Sequence, residues 1–111
     1  MEISSEMRDG ITIVKIVGNI DSITAPQAQG TILPLAVPDC RIVLDMEQCH
    51  YVSSAGLRVL LMIAKLLATR GGQCALVKVS DEIKDVMEMT GFASFFNTYD
   101  TVSNAIAAFR K

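Results

Sequence analysis

The sequence predicts an α/β fold with a mostly parallel central sheet and one antiparallel edge. Three observations carry this. A polar pair, Asp9-Gly10, separates two extended runs near the start, and such a pair is a hairpin signal. Beyond it, short apolar runs alternate with helix-period segments, the sequence form of strands joined by crossover helices. The longest apolar run, Leu57 to Thr69, repeats at helical spacing rather than alternating. At 111 residues, half of them apolar, the chain is long enough for one domain, residues 1–111, with a substantial core.

The elements follow in order. Residues 2–7 should pair antiparallel with 11–17, where Ile11, Ile13, Lys15 and Val17 share one face and Thr12, Val14 and Ile16 the other. Gly18-Asn-Ile-Asp21 ends the second strand. Asp21, Ser22 or Thr24 can cap a first helix over about 24–35, with Pro26 tolerated in its first turn. Gly30 and Pro34 weaken its end. Arg41–Met46 reads as a short buried strand, Glu47–His50 as a polar break and Tyr51-Val52 as a brief extended piece. The second helix follows, with Leu57, Leu60, Leu61, Ala64 and Ala68 at helical spacing and Arg70-Gly71-Gly72 as its stop. Cys74–Val79 reads as a central strand. Ser80 caps a third helix whose first turn carries Asp81 and Glu82, favourable against the helix dipole, and which ends near Gly91. Phe95-Phe96 is the candidate last strand, and strand alternation leaves one of the two rings exposed. Asp100 caps a final helix, 101–109.

Composition excludes several function classes. The net charge of −2 and absence of tryptophan argue against nucleic-acid binding, which uses basic stripes and stacking platforms. Cys40, Cys49 and Cys74 lie far apart, are odd in number and have no metal-ligand spacing. A reduced, intracellular protein is the simplest expectation. The polar start MEISSEMRDG does not read as a signal peptide. The apolar run Val59–Ala68 is broken by Lys65 and too short for membrane insertion. A cytoplasmic protein is therefore expected. No nucleophile–base pair, metal set or phosphate-binding glycine loop points to an enzyme or a cofactor. The single histidine, His50, reads as a loop residue. Asp45 ends its strand and Asp21 caps a helix, so the two do not read as a carboxylate pair.

The stretch Tyr51-Val-Ser-Ser-Ala-Gly-Leu57 places small polar residues where a strand hands over to the longest helix. Spacing alone assigns Ser53 and Ser54 to capping and turn formation. Leu57 stands where a capping box would need Glu or Gln. The first N–H groups of a helix lack internal partners and attract negative charge. A phosphate on Ser54 would therefore be well placed. Arg58, Met62 and Lys65 fall on one side of this helix. Met62 and Val59 are apolar beside the serine turn, and a methionine suits an interaction surface. Met87 and Met89 read as core or edge filler.

Asp45-Met-Glu-Gln-Cys-His-Tyr-Val-Ser-Ser-Ala-Gly-Leu57 resembles the signature segment of STAS domains, and more narrowly that of bacterial anti-sigma factor antagonists. Gly18-Asn-Ile-Asp21, Gly71-Gly72 before Cys74-Ala-Leu-Val, and Met89-Thr-Gly91-Phe resemble further family turns, in order along nearly the whole chain. The resemblance implies the STAS fold, with about four helices, and a non-enzymatic regulator of transcription that works by partner switching. It implies an anti-sigma factor that is also a serine kinase as partner, and a serine phosphatase. Binding would release a sigma factor. Phosphorylation from ATP at the start of the second helix would end binding. The implied acceptor is Ser54, with Ser53 as the second choice. Implied contact residues are Asp21, Ser53, Ser54, Ala55, Gly56, Arg58 and Met62, in a protein that is a monomer when free. Two positions depart from the family pattern. Ser53 replaces the usual Asp, and Ala55 stands where Ser or Thr is frequent. The competing expectation is a constitutive STAS subunit of an ABC-type lipid-transport complex, indifferent to Ser54.

Overall fold

The structure is a computed structural model and describes residues 1–109. β1 (Glu2–Arg8) and β2 (Ile11–Val17) pair antiparallel without interruption, from Glu2 opposite Val17 to Arg8 opposite Ile11. Asp9 and Gly10 both take positive φ, 55° and 79°. That is the two-residue turn whose twist suits a hairpin. β3 (Arg41–Gln48), β4 (Gln73–Val77) and β5 (Asn97–Tyr99) then add in chain order, each parallel to the one before. The result is a five-stranded sheet ordered β1-β2-β3-β4-β5, antiparallel only at its first edge, as the sequence predicts.

The helices are α1 (Ala25–Ile32), α2 (Ser54–Thr69), α3 (Asp81–Met89) and α4 (Val102–Phe109). Strands that advance in one direction with right-handed crossovers leave their helices on one face. Accordingly, α1, α2 and α3 share one core with Val14, Ile16, Ile42, Leu44, Met46 and Leu76. Alternation along the same strands sends Ile11, Ile13, Val43, Ala75 and Val77 to the opposite face, where α4 covers them with Ala105, Ile106 and Phe109.

Several expected boundaries move, each for a local reason. β3 runs through the polar Glu47 and Gln48 because β2 holds their backbone: Val17 pairs with Gln48 after a register shift beyond Lys15, and Gly18 N–H donates to Gln48 O at 3.0 Å. β4 stops at Val77, not Val79, because Lys78 turns into the left-handed region at φ 57°. α1 ends at Ile32 and tightens into a 3₁₀ turn over Leu33–Leu35. α2 starts at Ser54, three residues before the apolar repeat. Phe95-Phe96 is not a strand. Phe92–Phe95 form a 3₁₀ turn after Gly91 in the left-handed conformation, and the strand is Asn97–Tyr99. Of the two rings, Phe95 is exposed and Phe96 buried. Thr101, not Asp100, supplies the cap of the last helix, its Oγ1 accepting from Asn104 N–H at 3.0 Å. Met87 is core, but Met89 is exposed.

Candidate functional site

Two loops meet where β2 and β3 end. Ile20 and Val52 form a parallel bridge. Ile20 N–H donates to Tyr51 O at 3.0 Å, and Ser53 N–H donates to Ile20 O at 2.8 Å. The Asn19–Asp21 turn is thus fixed against the Tyr51–Ser53 segment, at the carboxyl ends of parallel strands. Open α/β sheets commonly place their sites at this end.

The two serines have different tasks. Ser53 sits in extended conformation at φ −77° and ψ 175°, and its side chain accepts from Gly56 N–H at 3.2 Å. It is the N-cap of α2, half-buried and committed. Ser54 is the first helical residue and is exposed. Its hydroxyl makes no hydrogen bond to the described residues. α2 has no acidic residue in its first turn. The positive end of its dipole therefore faces outward beside a free hydroxyl.

Gly56 explains the small residues. A Cβ there would lie 2.6 Å from Ile20 O and 2.8 Å from Val52 Cγ1. Only glycine lets the first turn of α2 seat this closely on the Ile20–Val52 bridge. Ala55 beside it is half-buried.

Asp21 caps the turn into α1. Its Oδ1 accepts from Ile23 N–H at 2.9 Å and Thr24 N–H at 3.0 Å. Thr24 Oγ1 in return accepts from Asp21 N–H at 2.9 Å and donates to Asn19 O at 2.8 Å. The N–H donors of Thr24 and then Ile23 hold the Asp21 carboxyl below its ordinary value, so a carboxylate stands next to the serine turn at neutral pH. This lock also presents Ile23, which is 85% exposed. Sequence reading missed Ile23. The available signal was an isoleucine inside a turn whose neighbours, Asp21 and Thr24, are both capping residues.

On α2 the expected surface is present in part. Arg58 and Met62 are exposed and border a shallow groove of about 450 Å³ with Leu61, Lys65, Leu66 and Thr69. Lys65 Nζ stands 5.4 Å from the Phe95 ring centroid, within cation–π range. Val59 is a correction. It is buried, because α2 packs against both α1 and the sheet and so buries a wide stripe.

Other reactive groups are spread out. His50 is exposed in the loop after β3. Asp45 Oδ1 accepts from Glu47 N–H at 3.1 Å. Burial raises the thiol pKa of Cys40 and Cys49 and pushes Cys74 up to about 12. All three are free thiols. Among the described residues, no group of three or more His, Cys, Asp or Glu could hold a metal ion. Among them, too, no helix is long and apolar enough to cross a membrane.

Comparison with known proteins locates this geometry. Residues 2–105 match the STAS domain family. The chain belongs to that family. It is 32% identical over 111 residues to BtrV, a candidate anti-sigma factor antagonist of Bordetella bronchiseptica, covering 99% of this chain and 96% of that one. An anti-sigma factor antagonist from Mycobacterium paratuberculosis superposes with a TM-score of 0.82 at 27% identity, covering 99% and 94% of the two chains. The Bacillus protein SpoIIAA has been solved unphosphorylated and phosphorylated. Those structures share this fold with TM-scores of 0.79 and 0.72 at 19% and 18% identity. They cover 98% and 97% of this chain, and this chain spans 96% and 99% of theirs. This STAS domain falls within the anti-sigma factor antagonist branch, whose members are non-enzymatic regulators.

Proposed function

We propose that this STAS domain is a cytoplasmic phosphoprotein that binds an anti-sigma factor with serine kinase activity, frees that kinase's sigma factor or other target, and is switched off at Ser54. The observation that carries this is the division of labour in the serine turn. Ser53 Oγ is held by Gly56 N–H, whereas Ser54 is exposed and its hydroxyl makes no hydrogen bond to the described residues. Ser53 also accounts for the departure from the family's Asp, since serine and aspartate cap a helix about equally well. The relationship to anti-sigma factor antagonists supports the partner class, and the phosphorylated form of SpoIIAA supports the modification.

Ser54 Oγ attacks the γ-phosphorus of ATP. The new Oγ–P bond replaces the bond to the β-phosphate, ADP leaves, and the hydroxyl proton is lost. The product adds roughly −1.5 to −2 charges. The α2 N-terminus favours that charge, so the modified domain keeps its fold. The partner bears the cost instead. A dianion sealed in an interface without a counter-charge costs several kcal/mol to desolvate, which is orders of magnitude in affinity. A phosphatase resets the switch. Asp21, Ile23, Ala55, Arg58 and Met62 would frame the docked partner around Ser54, whereas Gly56, expected as a contact, is buried against the Ile20–Val52 bridge and shapes the turn from beneath.

The test is quantitative copurification from native cells with tagged wild type, Ser54→Ala and Ser54→Asp. An anti-sigma kinase should accompany the first two and be lost from the third. Equal recovery with all three would sink the proposal.

A further inference from the structure

β1 forms the longer edge of the sheet. Its seven residues pair with β2 without a bulge, six of them are exposed, and the strand holds neither proline nor lysine. The opposite edge, β5, has three residues. Long regular edges are templates for another strand unless charge, proline or a bulge blunts them. β1 does carry charge, in Glu2, Glu6 and Arg8. The arrangement of that charge is informative.

The hairpin fixes which backbone groups are free. A two-residue turn is closed by a hydrogen-bonded pair, here Arg8 and Ile11. Pairs then alternate along the ladder. Glu2, Ser4, Glu6 and Arg8 therefore direct their N–H and C=O groups to β2, while Ile3, Ser5 and Met7 direct theirs outward. The side chains divide the same way. Ile3, Ser5 and Met7 stand opposite Ile16, Val14 and Thr12, on the face of the larger core. The charged residues stand on the other face.

We propose that the β1 edge pairs antiparallel with the β1 edge of a second copy of this chain, about a two-fold axis through Ser5. That register sets Ile3 against Met7 of the second copy, Ser5 against Ser5, and Glu2 against Arg8. It matches outward N–H and C=O groups at Ile3, Ser5 and Met7 on each side, and it covers Met7, which is 68% exposed. Neighbouring even registers are disfavoured by charge. A shift that centres the axis on Ser4 opposes Glu2 to Glu6, and one that centres it on Glu6 opposes Glu6 to itself. Like charges directly opposite each other destabilise a strand pair. The pairing would fuse two sheets into one through residues that include none of the serine turn. It replaces the expected free monomer with a concentration-dependent equilibrium.

Sedimentation equilibrium over a wide concentration range tests this on the whole chain. Wild type should shift reversibly from the monomer mass to twice that mass. Ser5→Pro removes an outward N–H but no β1–β2 hydrogen bond, so it should abolish the shift while the circular dichroism spectrum is kept. Glu2→Arg turns two attractive pairs into two repulsive ones and should weaken association about tenfold or more. Glu2→Arg with Arg8→Glu should restore it in part, since Arg8→Glu also gives up the Arg8–Glu6 pair at 2.9 Å on the same strand. If Ser5→Pro unfolds the hairpin, the charge pair alone decides. A wild type that is monomeric at every concentration would overturn the proposal, as would a dimer indifferent to Ser5→Pro and Glu2→Arg, or a double variant that stays monomeric. Ser54→Asp should leave this equilibrium unchanged, so failure here and failure of the switch are separable.

Discussion

The N-termini of α2 and α3 use one capping device for two purposes. Ser53 and Ser80 are both extended, at φ −77° and −66°, and each accepts the N–H three residues on, from Gly56 at 3.2 Å and Ile83 at 3.3 Å. They differ in the residues that follow. α3 continues with Asp81 and Glu82, so its dipole is permanently matched by negative charge. α2 continues with Ser54, Ala55 and Gly56, and no acid follows in its first turn. Negative charge is therefore built into one helix start and left open at the other. An exposed hydroxyl stands at the open one.

The largest expected effect separates the two sites by function. Ser54→Asp should lower affinity for the anti-sigma partner by orders of magnitude, whereas Asp81→Ser with Glu82→Ser should leave it unchanged. Titration of each variant against the purified partner would measure this. A second, structural break is Gly56→Ala. Alanine improves helix propensity by about 1 kcal/mol, but its Cβ would meet a backbone carbonyl oxygen at 2.6 Å. Overpacking of this kind costs roughly 1–3 kcal/mol and should win, lowering the denaturation midpoint. At Gly30, where an added Cβ meets nothing within 4 Å, the same change should be neutral or stabilising.

The caps themselves should behave alike. Ser53→Ala and Ser80→Ala should each cost about 1 kcal/mol in urea unfolding. A smaller effect separates charge from folding at the two helix starts. Ser54→Asp should raise the stability of the free domain by about 0.3–1 kcal/mol while it destroys partner binding, and Asp81→Ser should lower stability by a similar amount. A Ser54→Asp protein that unfolds more readily would mean that binding is lost through misfolding rather than charge. The smallest expected effect concerns pH. The pKa of Asp21 is lowered in the folded state, so its contribution is fully present above the ordinary carboxylate value of 3.8. It is lost as pH falls through the folded value. Acid unfolding of Asp21→Asn, which keeps an Oδ1 acceptor, should show a shallower pH dependence in that window.

The parts of this fold legible in sequence are those fixed by a few adjacent residues. Asp9-Gly10, Ser80-Asp81-Glu82 and Arg70-Gly71-Gly72 each carry their own turn or cap chemistry, and each is found where local rules put it. What escaped depends on distant neighbours. β3 reaches Gln48 because β2 supplies hydrogen bonds to it. Val59 is buried because α2 touches two other elements. Met89 is exposed because α3 packs through Ile83 and Met87. At the candidate site, Ser53, Ser54 and Gly56 stand out from their spacing. Only the Ile20–Val52 bridge explains why Gly56 is obligatory, and only the Asp21–Thr24 lock reveals Ile23 as a surface residue.

Peptide mapping by mass spectrometry, on the protein isolated from its native cells across growth conditions, decides whether Ser54 is the switch. A single phosphate is expected, on Ser54, with Ser53 unmodified because its oxygen is committed to the helix cap. A phosphate on Ser53, or none under any condition, would contradict it.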